Sequence, residues 1–446
     1  VASRSKFVLL GRRVFQSAEG RPVRGAFDTT TAGLYLLPTS VADALDSPDV
    51  APTPAQTAAL ARAGLLTDIG RADAFLHGLQ RASEDLSTRT FILMPTPACN
   101  MGCDYCGQNH NGHSLKTRYE ELVVPRVVAV IRDPATRVVN IDWFGGEPLL
   151  AKAELFSIAS RLMAEARKQA VEYRSQLTTN GSLFSVSLLR RLIGEAGVTR
   201  VDVTVDGPQR IHDLSRKMKN GASTYDRILD SVSGALAEPW SESCQFIIRT
   251  NVTMETLPHV TEYLRDLAAR GLCGDRGPAI QIAPVHQWGI GTDAYEVAVS
   301  AFAEAEIEWL NLAVDLDVNF LPLPDLADEP CSAGHRGTET IDPQGTVYDC
   351  PELALRPPAP VFVPLGRRPQ AGAQARPDGA LMADMTWSTV IESPPCRSCS
   401  LLPVCGGACA LSRAQGQAQC PSMKHNFADR IDVAVRRALA ANRECG

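Results

Sequence analysis

Thirteen cysteines in a chain of 446 residues are the first feature that could do chemistry, and they are spaced very unevenly. Cys99, Cys103 and Cys106 form a C-x3-C-x2-C group, and seven more lie between Cys331 and Cys420. Cys244, Cys273 and Cys445 stand alone and read as small buried hydrophobes. Clustered thiols in a chain with no secretory signature point to metal or redox chemistry rather than to disulfides. Three thiolates on one short loop can wrap a cubane iron–sulfur cluster and leave one iron without a protein ligand, because such clusters normally take four cysteines. An iron left open can coordinate a cofactor or a substrate. The competing reading is a zinc site completed by His110 or His113, since zinc favours mixed Cys/His sets.

The elements that must position these groups follow from hydrophobic period. From residue 91 onward, β-rich runs recur at Phe91–Thr96, Val138–Phe144, Ser175–Thr179, Arg200–Val205, Gln245–Val252 and Ala279–Val285. Between them lie helical patterns at Tyr119–Ile131, Ala153–Ala170, Val186–Ala196, Tyr225–Ala237 and Thr256–Ala269. Strands alternating with helices imply βαβ units and a parallel sheet. The count predicts an α/β fold, a partial (β/α)6 TIM-like barrel, with reactive groups at the C-terminal ends of the strands. Residues 1–85 read as a small α+β module, 86–290 as the barrel, 291–330 as a connecting helix and linker, and 331–446 as a cysteine-rich domain. Within the last, Arg356–Asp384 is rich in Pro, Ala, Gly and Arg and reads as an exposed insertion.

Two motifs make the reading specific. Tyr105 precedes the third cysteine, and Gly145-Gly146-Glu147-Pro148 closes the second strand, an element for which a zinc knuckle has no use. Together they resemble the radical S-adenosylmethionine (SAM) superfamily. The resemblance implies a 4Fe–4S cluster on Cys99, Cys103 and Cys106 whose open iron chelates the amino and carboxylate groups of SAM. It further implies that Gly145, Gly146 and Glu147 face the SAM ammonium, that Tyr105 lies near the adenine, and that Asn180 approaches the ribose. Thr204 and Asp206 end the fourth strand, followed by His212 and Arg216. Arg216 is read either as a partner of the SAM carboxylate or as half of an ion pair with a loop acid. Arg249 and Asn251 end the fifth strand and join the same cavity. The activity implied is reductive cleavage of SAM to a 5′-deoxyadenosyl radical that takes a hydrogen atom from an inert carbon.

The second cysteine group, Cys331-x13-Gly345-x4-Cys350, then Cys396-x2-Cys399-x5-Cys405-x3-Cys409-x10-Cys420, resembles the SPASM domain of peptide- and protein-modifying radical SAM enzymes. By that resemblance Cys331, Cys350 and Cys409 hold auxiliary cluster I, with Ser332, His335 or no protein ligand at its fourth iron. Cys396, Cys399, Cys405 and Cys420 hold auxiliary cluster II. Pro-Gln-Gly345 reads as a hairpin turn joining two short strands within Thr340–Cys350. Paired zinc sites are the alternative for this region taken alone.

The N-terminal module is similar to segments of maturases for ribosomally made peptides (RiPPs), some of which form a PqqD-like winged-helix element that captures a leader by strand addition. The substrate implied is a precursor peptide with a leader, given a crosslink (thioether, C–C or C–O), an oxidation or an epimerisation, and the reductant implied is a flavodoxin or ferredoxin. Sulfatase maturases carry an acid directly after a cluster cysteine, whereas here Pro351 follows Cys350 and Glu352 comes next. A SPASM-type dehydrogenase of a small molecule and a non-catalytic iron–sulfur electron carrier are the other readings. A net charge of −6 argues against a nucleic-acid surface. No apolar run reaches the roughly 18 residues of a membrane span, and the basic start lacks a signal-peptide apolar core, so a cytoplasmic protein is expected.

Overall fold

The computed structural model describes residues 4–46, 52–66, 70–108, 110, 118–286, 293–327, 331–354, 396–414 and 420–444. The Arg356–Asp384 stretch, His113 and Cys445 lie outside the described residues.

The chain opens with an antiparallel sheet of β1 (Val8–Gln16), β2 (Pro22–Asp28) and β3 (Gly33–Pro38), followed by α1 (Thr39–Asp46), α2 (Pro54–Arg62) and α3 (Arg71–Glu84). Helix α2 starts where the sequence dictates. Thr53 accepts the Gln56 backbone N–H, Gln56 returns a bond to the Thr53 N–H, and Pro54 occupies the first turn, where no backbone donor is needed. The sequence reading missed β2, whose Pro22, Gly25 and Asp28 hide its alternation, and α3, whose pattern is dominated by polar residues.

The barrel consists of six parallel strands in chain order. These are β4 (Thr88–Leu93), β6 (Val138–Trp143), β7 (Glu172–Thr179), β8 (Val198–Thr204), β10 (Gln245–Val252) and β11 (Ala279–Pro284). A short strand β5 (Met101–Cys103) lies between β4 and β6, and β9 (Arg216–Met218) lies between β8 and β10. The covering helices are α4 (Tyr119–Ile131), α5 (Lys152–Gln169), α6 (Val186–Ala196), α8 (Tyr225–Leu236), α9 (Val260–Ala269) and α10 (Val299–Asp315), with the short α7 (Gln209–Ser215) after β8. Helix α6 shows why they form. Ser185 caps the Leu188 N–H, Leu188, Leu189, Leu192 and Ala196 make one buried stripe, and Gly197 ends the helix in the left-handed region. Within the strands, alternate residues divide the work. Val139, Ile141, Trp143, Val201, Val203 and Ile248 are fully buried against the helices, while Asn140, Asp142, Gln176, Asp202, Thr204 and Arg249 line cavities. A barrel interior that is polar on its lumen side is built to hold something other than side chains.

The sheet has eight strands rather than the six expected. The hairpin of β12 (Thr338–Ile341) and β13 (Val347–Tyr348) forms about the expected turn but starts two residues before Thr340, and β12 also pairs in parallel with the outer edge of β4, closing an edge that would otherwise be open. The turn is held by Asp342, whose Oδ1 accepts the N–H groups of Gln344 and Thr346. Short helices α11 (Leu402–Cys405) and α12 (Ala410–Ala414) lead to α13 (Met423–Glu444), which the sequence reading also missed. Among the described residues no helix is long and apolar enough to cross a membrane.

Candidate active site

A cavity of ≈ 450 Å³ opens at the C-terminal ends of the barrel strands. Cys99, Cys103, Tyr105, Cys106, Gly145, Gly146, Asn180, Thr204 and Arg216 all line it, as do Arg249 and Asn251. Glu147 does not.

The cysteine loop is placed by its neighbours. Gly145, at φ +118°, and Gly146 carry the end of β6 under the segment that leads into Cys99. A Cβ on Gly146 would stand 2.4 Å from the carbonyl oxygens of Pro97 and Ala98. The Gly146 N–H donates to Thr96 O and the Glu147 N–H to Ala98 O, so the two loops are zipped together. Cys99 Sγ accepts the Met101 N–H at 3.5 Å and Asn180 Nδ2 at 3.6 Å, and Asn180 also donates to Asn100 Oδ1. Strand β5 pairs with β9 so that Cys103 sits opposite Arg216. Burial pushes the Cys103 thiol up to about 11, against the pull of Arg216.

Glu147 corrects an expectation. It is completely buried, and its carboxylate accepts the Leu149 N–H, the Asn180 N–H and the Thr179 hydroxyl at 2.8–2.9 Å. Those donors offset a burial that raises its pKa. Its role is therefore to tie the ends of β6 and β7 together, leaving the Gly145–Gly146 backbone, not the carboxylate, on the cavity wall. His212 likewise stays away from the cavity. It is fully buried, its Nδ1 accepts the Asp206 N–H, its Nε2 bonds the Thr224 hydroxyl, and burial lowers its pKa to about 3.

Arg216 forms the ion pair that the sequence reading offered as one of its two alternatives. Its Nη1 donates to the Tyr105 hydroxyl at 2.7 Å and lies 3.5 Å from Asp206, which is completely buried. Tyr105 donates to Asp206 and accepts Asn251 Nδ2, and Asp206 also accepts the Asn251 N–H. Burial raises the Tyr105 and Asp206 pKa values, and a neutral phenol is what this donor role requires. Arg216 Nε, however, is buried with no partner. A buried donor left over on a cavity wall is costly unless a ligand takes it. The sequence reading found Tyr105 but missed its link to Asp206 and Asn251.

His110 Nε2 lies 3.4 Å from Cys106 Sγ while Nδ1 bonds Pro97 O. Among the described residues, no group of three or more His, Cys, Asp or Glu gathers as a single metal ion would need.

The seven cysteines from Cys331 to Cys420 fall into two electrostatic neighbourhoods. Cys350 senses Cys331 and Cys409, and Cys331 senses Cys409. Cys405 senses Cys396 and Cys399, and Lys424, which donates to Cys420 Sγ at 3.3 Å, senses Cys399 and Cys396. Arg413 Nη2 donates to Cys396 Sγ at 2.7 Å. His335 is engaged elsewhere, its Nδ1 accepting the Gly337 N–H, and it lines a separate cavity at the opposite end of the strands. All-thiol sets whose sulfurs accept N–H bonds suit iron–sulfur clusters. The three-thiol loop beside an orphaned cationic donor likewise suits a cluster carrying an anionic chelate.

Parallel strands in chain order, a thiol loop after the first and a Gly-Gly turn after the second are the features on which the radical SAM resemblance rests. Residues 93–268 match the model of the Radical SAM superfamily. Its members use a 4Fe–4S cluster and SAM. The chain is 29% identical over 140 residues to the serine-type anaerobic sulfatase-maturating enzyme of Klebsiella aerogenes, covering 30% of this chain and 34% of that one. It is 28% identical over 183 residues to the cysteine-type anaerobic sulfatase-maturating enzyme of Clostridium perfringens (strain 13 / Type A), covering 40% and 47%. The matches thus span about half or less of these curated relatives. The fold is similar to the solved structure of native anSMEcpe with bound AdoMet and Cp18Cys peptide, with a TM-score of 0.53, 18% identity and coverage of 80% of this chain and all of that one.

Proposed function

We propose that the protein is a radical SAM enzyme that modifies a peptide, with a SPASM-like domain over residues 331–446 holding two auxiliary clusters. The observation that carries the reading is the make-up of one cavity. The Cys99–Cys106 loop lines it from the barrel, and Pro351, Glu352 and Ala354, immediately after Cys350, line it from the cysteine-rich domain. Cys99, Cys103 and Cys106 hold the first cluster, and the Gly145–Gly146 backbone, Asn180, Thr204 and Arg216 surround SAM. Bound there, the cluster and SAM supply a hydrogen-atom acceptor strong enough to attack an unactivated carbon. The chain's own part is positional. Arg216 would face the SAM carboxylate, and Tyr105 and Asp206 hold the guanidinium in place.

Cys331, Cys350 and Cys409 form one auxiliary set and Cys396, Cys399, Cys405 and Cys420 the other, the second closed by four thiolates and suited to electron transfer with a flavodoxin or ferredoxin. Residues 1–85 act at a peptide leader. The test is anaerobic reconstitution with iron and sulfide, then incubation with SAM and dithionite. 5′-Deoxyadenosine is expected from the wild type and is expected to vanish in Cys103→Ala. A protein that takes up zinc in preference to iron sinks the reading. Co-expression with a short peptide from a neighbouring reading frame, followed by mass spectrometry, reports the bond made.

A second reading, oxidation of a seryl or cysteinyl side chain as in the sulfatase maturases, is favoured by Glu352, which brings a carboxylate to the cavity although Pro351 occupies the position directly after the cysteine. Formation of a hydrazide-reactive aldehyde on the peptide distinguishes it.

A further inference from the structure

The seven cysteines from Cys331 to Cys420 are not enclosed by their own segment alone. Leu79 of α3 forms a buried cluster with Cys396 and Leu402, to which Phe75, Leu76, Cys331 and Cys399 add. On another side, Phe27 at the end of β2 packs with Leu401, Val404 and Phe427, and Cys399 lies against this cluster too. The Thr29 hydroxyl, in a residue completely buried, donates to the carbonyl oxygen of Ser400 at 2.7 Å, the residue that follows Cys399. The Arg336 N–H donates to Ser83 O, fastening the C-terminal end of α3 to the segment between Cys331 and β12. The N-terminal module therefore has two faces with different work. One, built on Val8, Ala26, Val41, Leu60 and Leu65, holds the module itself together. The other is turned to the thiols.

We infer that the N-terminal module is a wall of both auxiliary centres, Leu79 covering Cys331, Cys396 and Cys399 and Thr29 with Phe27 fixing the Ser400 loop. The inference rests on the reading that these cysteines hold clusters. Its physical content is that this wall buries Cys396 and shields Cys331 and Cys399 in part, so its opening raises solvent access, one of the properties that set cluster potential and lability. These are positioning residues, since none of them touches iron.

The experiment uses full-length, anaerobically reconstituted protein and three variants. Thr29→Val keeps shape and removes the bond to Ser400. Leu79→Ala trims the wall. Leu60→Ala, in the module's own core, is the control for general loosening. Iron release to a ferrous chelator is followed over time, with EPR-monitored redox titration of the auxiliary signals. Thr29→Val and Leu79→Ala are expected to speed the auxiliary phase of release about tenfold, as for an easier local opening. Their auxiliary potentials move in the positive direction, because water stabilises the more negative reduced cluster. The phase belonging to the Cys99–Cys106 cluster keeps its rate, and Leu60→Ala leaves the auxiliary potentials unmoved. If Leu60→Ala matches the other two in both readouts, or if Thr29→Val changes neither, the wall is merely structural and the inference fails. A wild type that binds iron for one cluster only would instead overturn the cluster reading beneath it.

Discussion

Asp206, Arg216, Tyr105 and Asn251 form a polar knot on the cavity wall, and its members are worth more together than apart. Asp206 is completely buried, so each donor it loses leaves charge uncompensated. Tyr105→Phe removes the phenol that donates to Asp206 and accepts from Arg216. The expected cost is about 1–3 kcal/mol in denaturant unfolding of the cluster-free protein. Arg216→Gln should leave iron content near wild type and weaken SAM binding, read by equilibrium dialysis of SAM. His212 supplies a pH dependence with a definite sign. Its folded pKa of about 3 lies below its ordinary 6.5, so the unfolded chain takes up the proton first. Stability attributable to His212 is therefore intact above pH ~6.5 and is lost progressively as pH falls toward 3, with on the order of 2 kcal/mol gone by pH 5. The measurement is the difference between wild type and His212→Asn in unfolding free energy at pH 7 and pH 5, which should shrink at the lower pH. At this scale the cysteines, Tyr105 and Arg216 were legible because their spacing is local. The knot was not, because Tyr105 meets Asp206 across 101 positions and no local pattern encodes that contact.

The six barrel strands were legible because strands such as β6 and β8 alternate a helix-facing apolar residue with a lumen-facing polar one, while β4 and β10 carry short runs of three buried apolar residues, and their ends moved by only a few residues. Elements whose partners lie far off in sequence were harder. Strand β12 looks like half of an isolated hairpin until its pairing with β4 is seen, and α13 buries Arg430 and Asp432 on faces that read as solvent-exposed. Arg430 is accounted for by Glu306 at 2.5 Å, Asn426 Oδ1 and Pro322 O, none of which its own segment predicts except Asn426. The Gly145–Gly146 turn was legible as a motif, but the reason for it is an element-scale contact. Two backbones cross too closely for any side chain. Gly146→Ala should therefore push the 95–98 loop away and spill the first cluster while the barrel survives. Iron and sulfide analysis would show loss of that cluster's share, and far-UV circular dichroism would stay unchanged. Retention of full iron would mean that the loop can yield without moving Cys99.

At the scale of the molecule, the N-terminal sheet and α13 are a single unit, although about four hundred positions separate them in sequence. Strand β1 loses register with β2 between Leu10 and Val14, and the backbone N–H groups of Arg12 and Arg13, freed by that irregularity, donate to Asp432 at 3.1–3.2 Å. The bulge is thus completed by a side chain from the helix it packs on. Gly25 lets Ile431 and Val435 approach to where its own Cβ would be, at 2.6 Å, and Phe27 stacks at a tilt on Phe427 with centroids 5.5 Å apart. Such an arrangement makes removal of residues 1–85 a poor probe of leader binding, since it also strips Ile431, Val435 and Phe427 of their cover. The cleaner probe is Asp432→Ala. It leaves two backbone donors without their acceptor in a half-buried bulge, at an expected cost of about 1–3 kcal/mol, and Asp432→Asn should recover part of it. Because the contact joins the first sheet to a helix that also packs on α10, the loss should appear as a lower midpoint of one cooperative transition, followed at once by tryptophan fluorescence and circular dichroism. Two separated transitions, with the barrel melting at its wild-type midpoint, would show instead that the N-terminal sheet and α13 fold independently of the barrel.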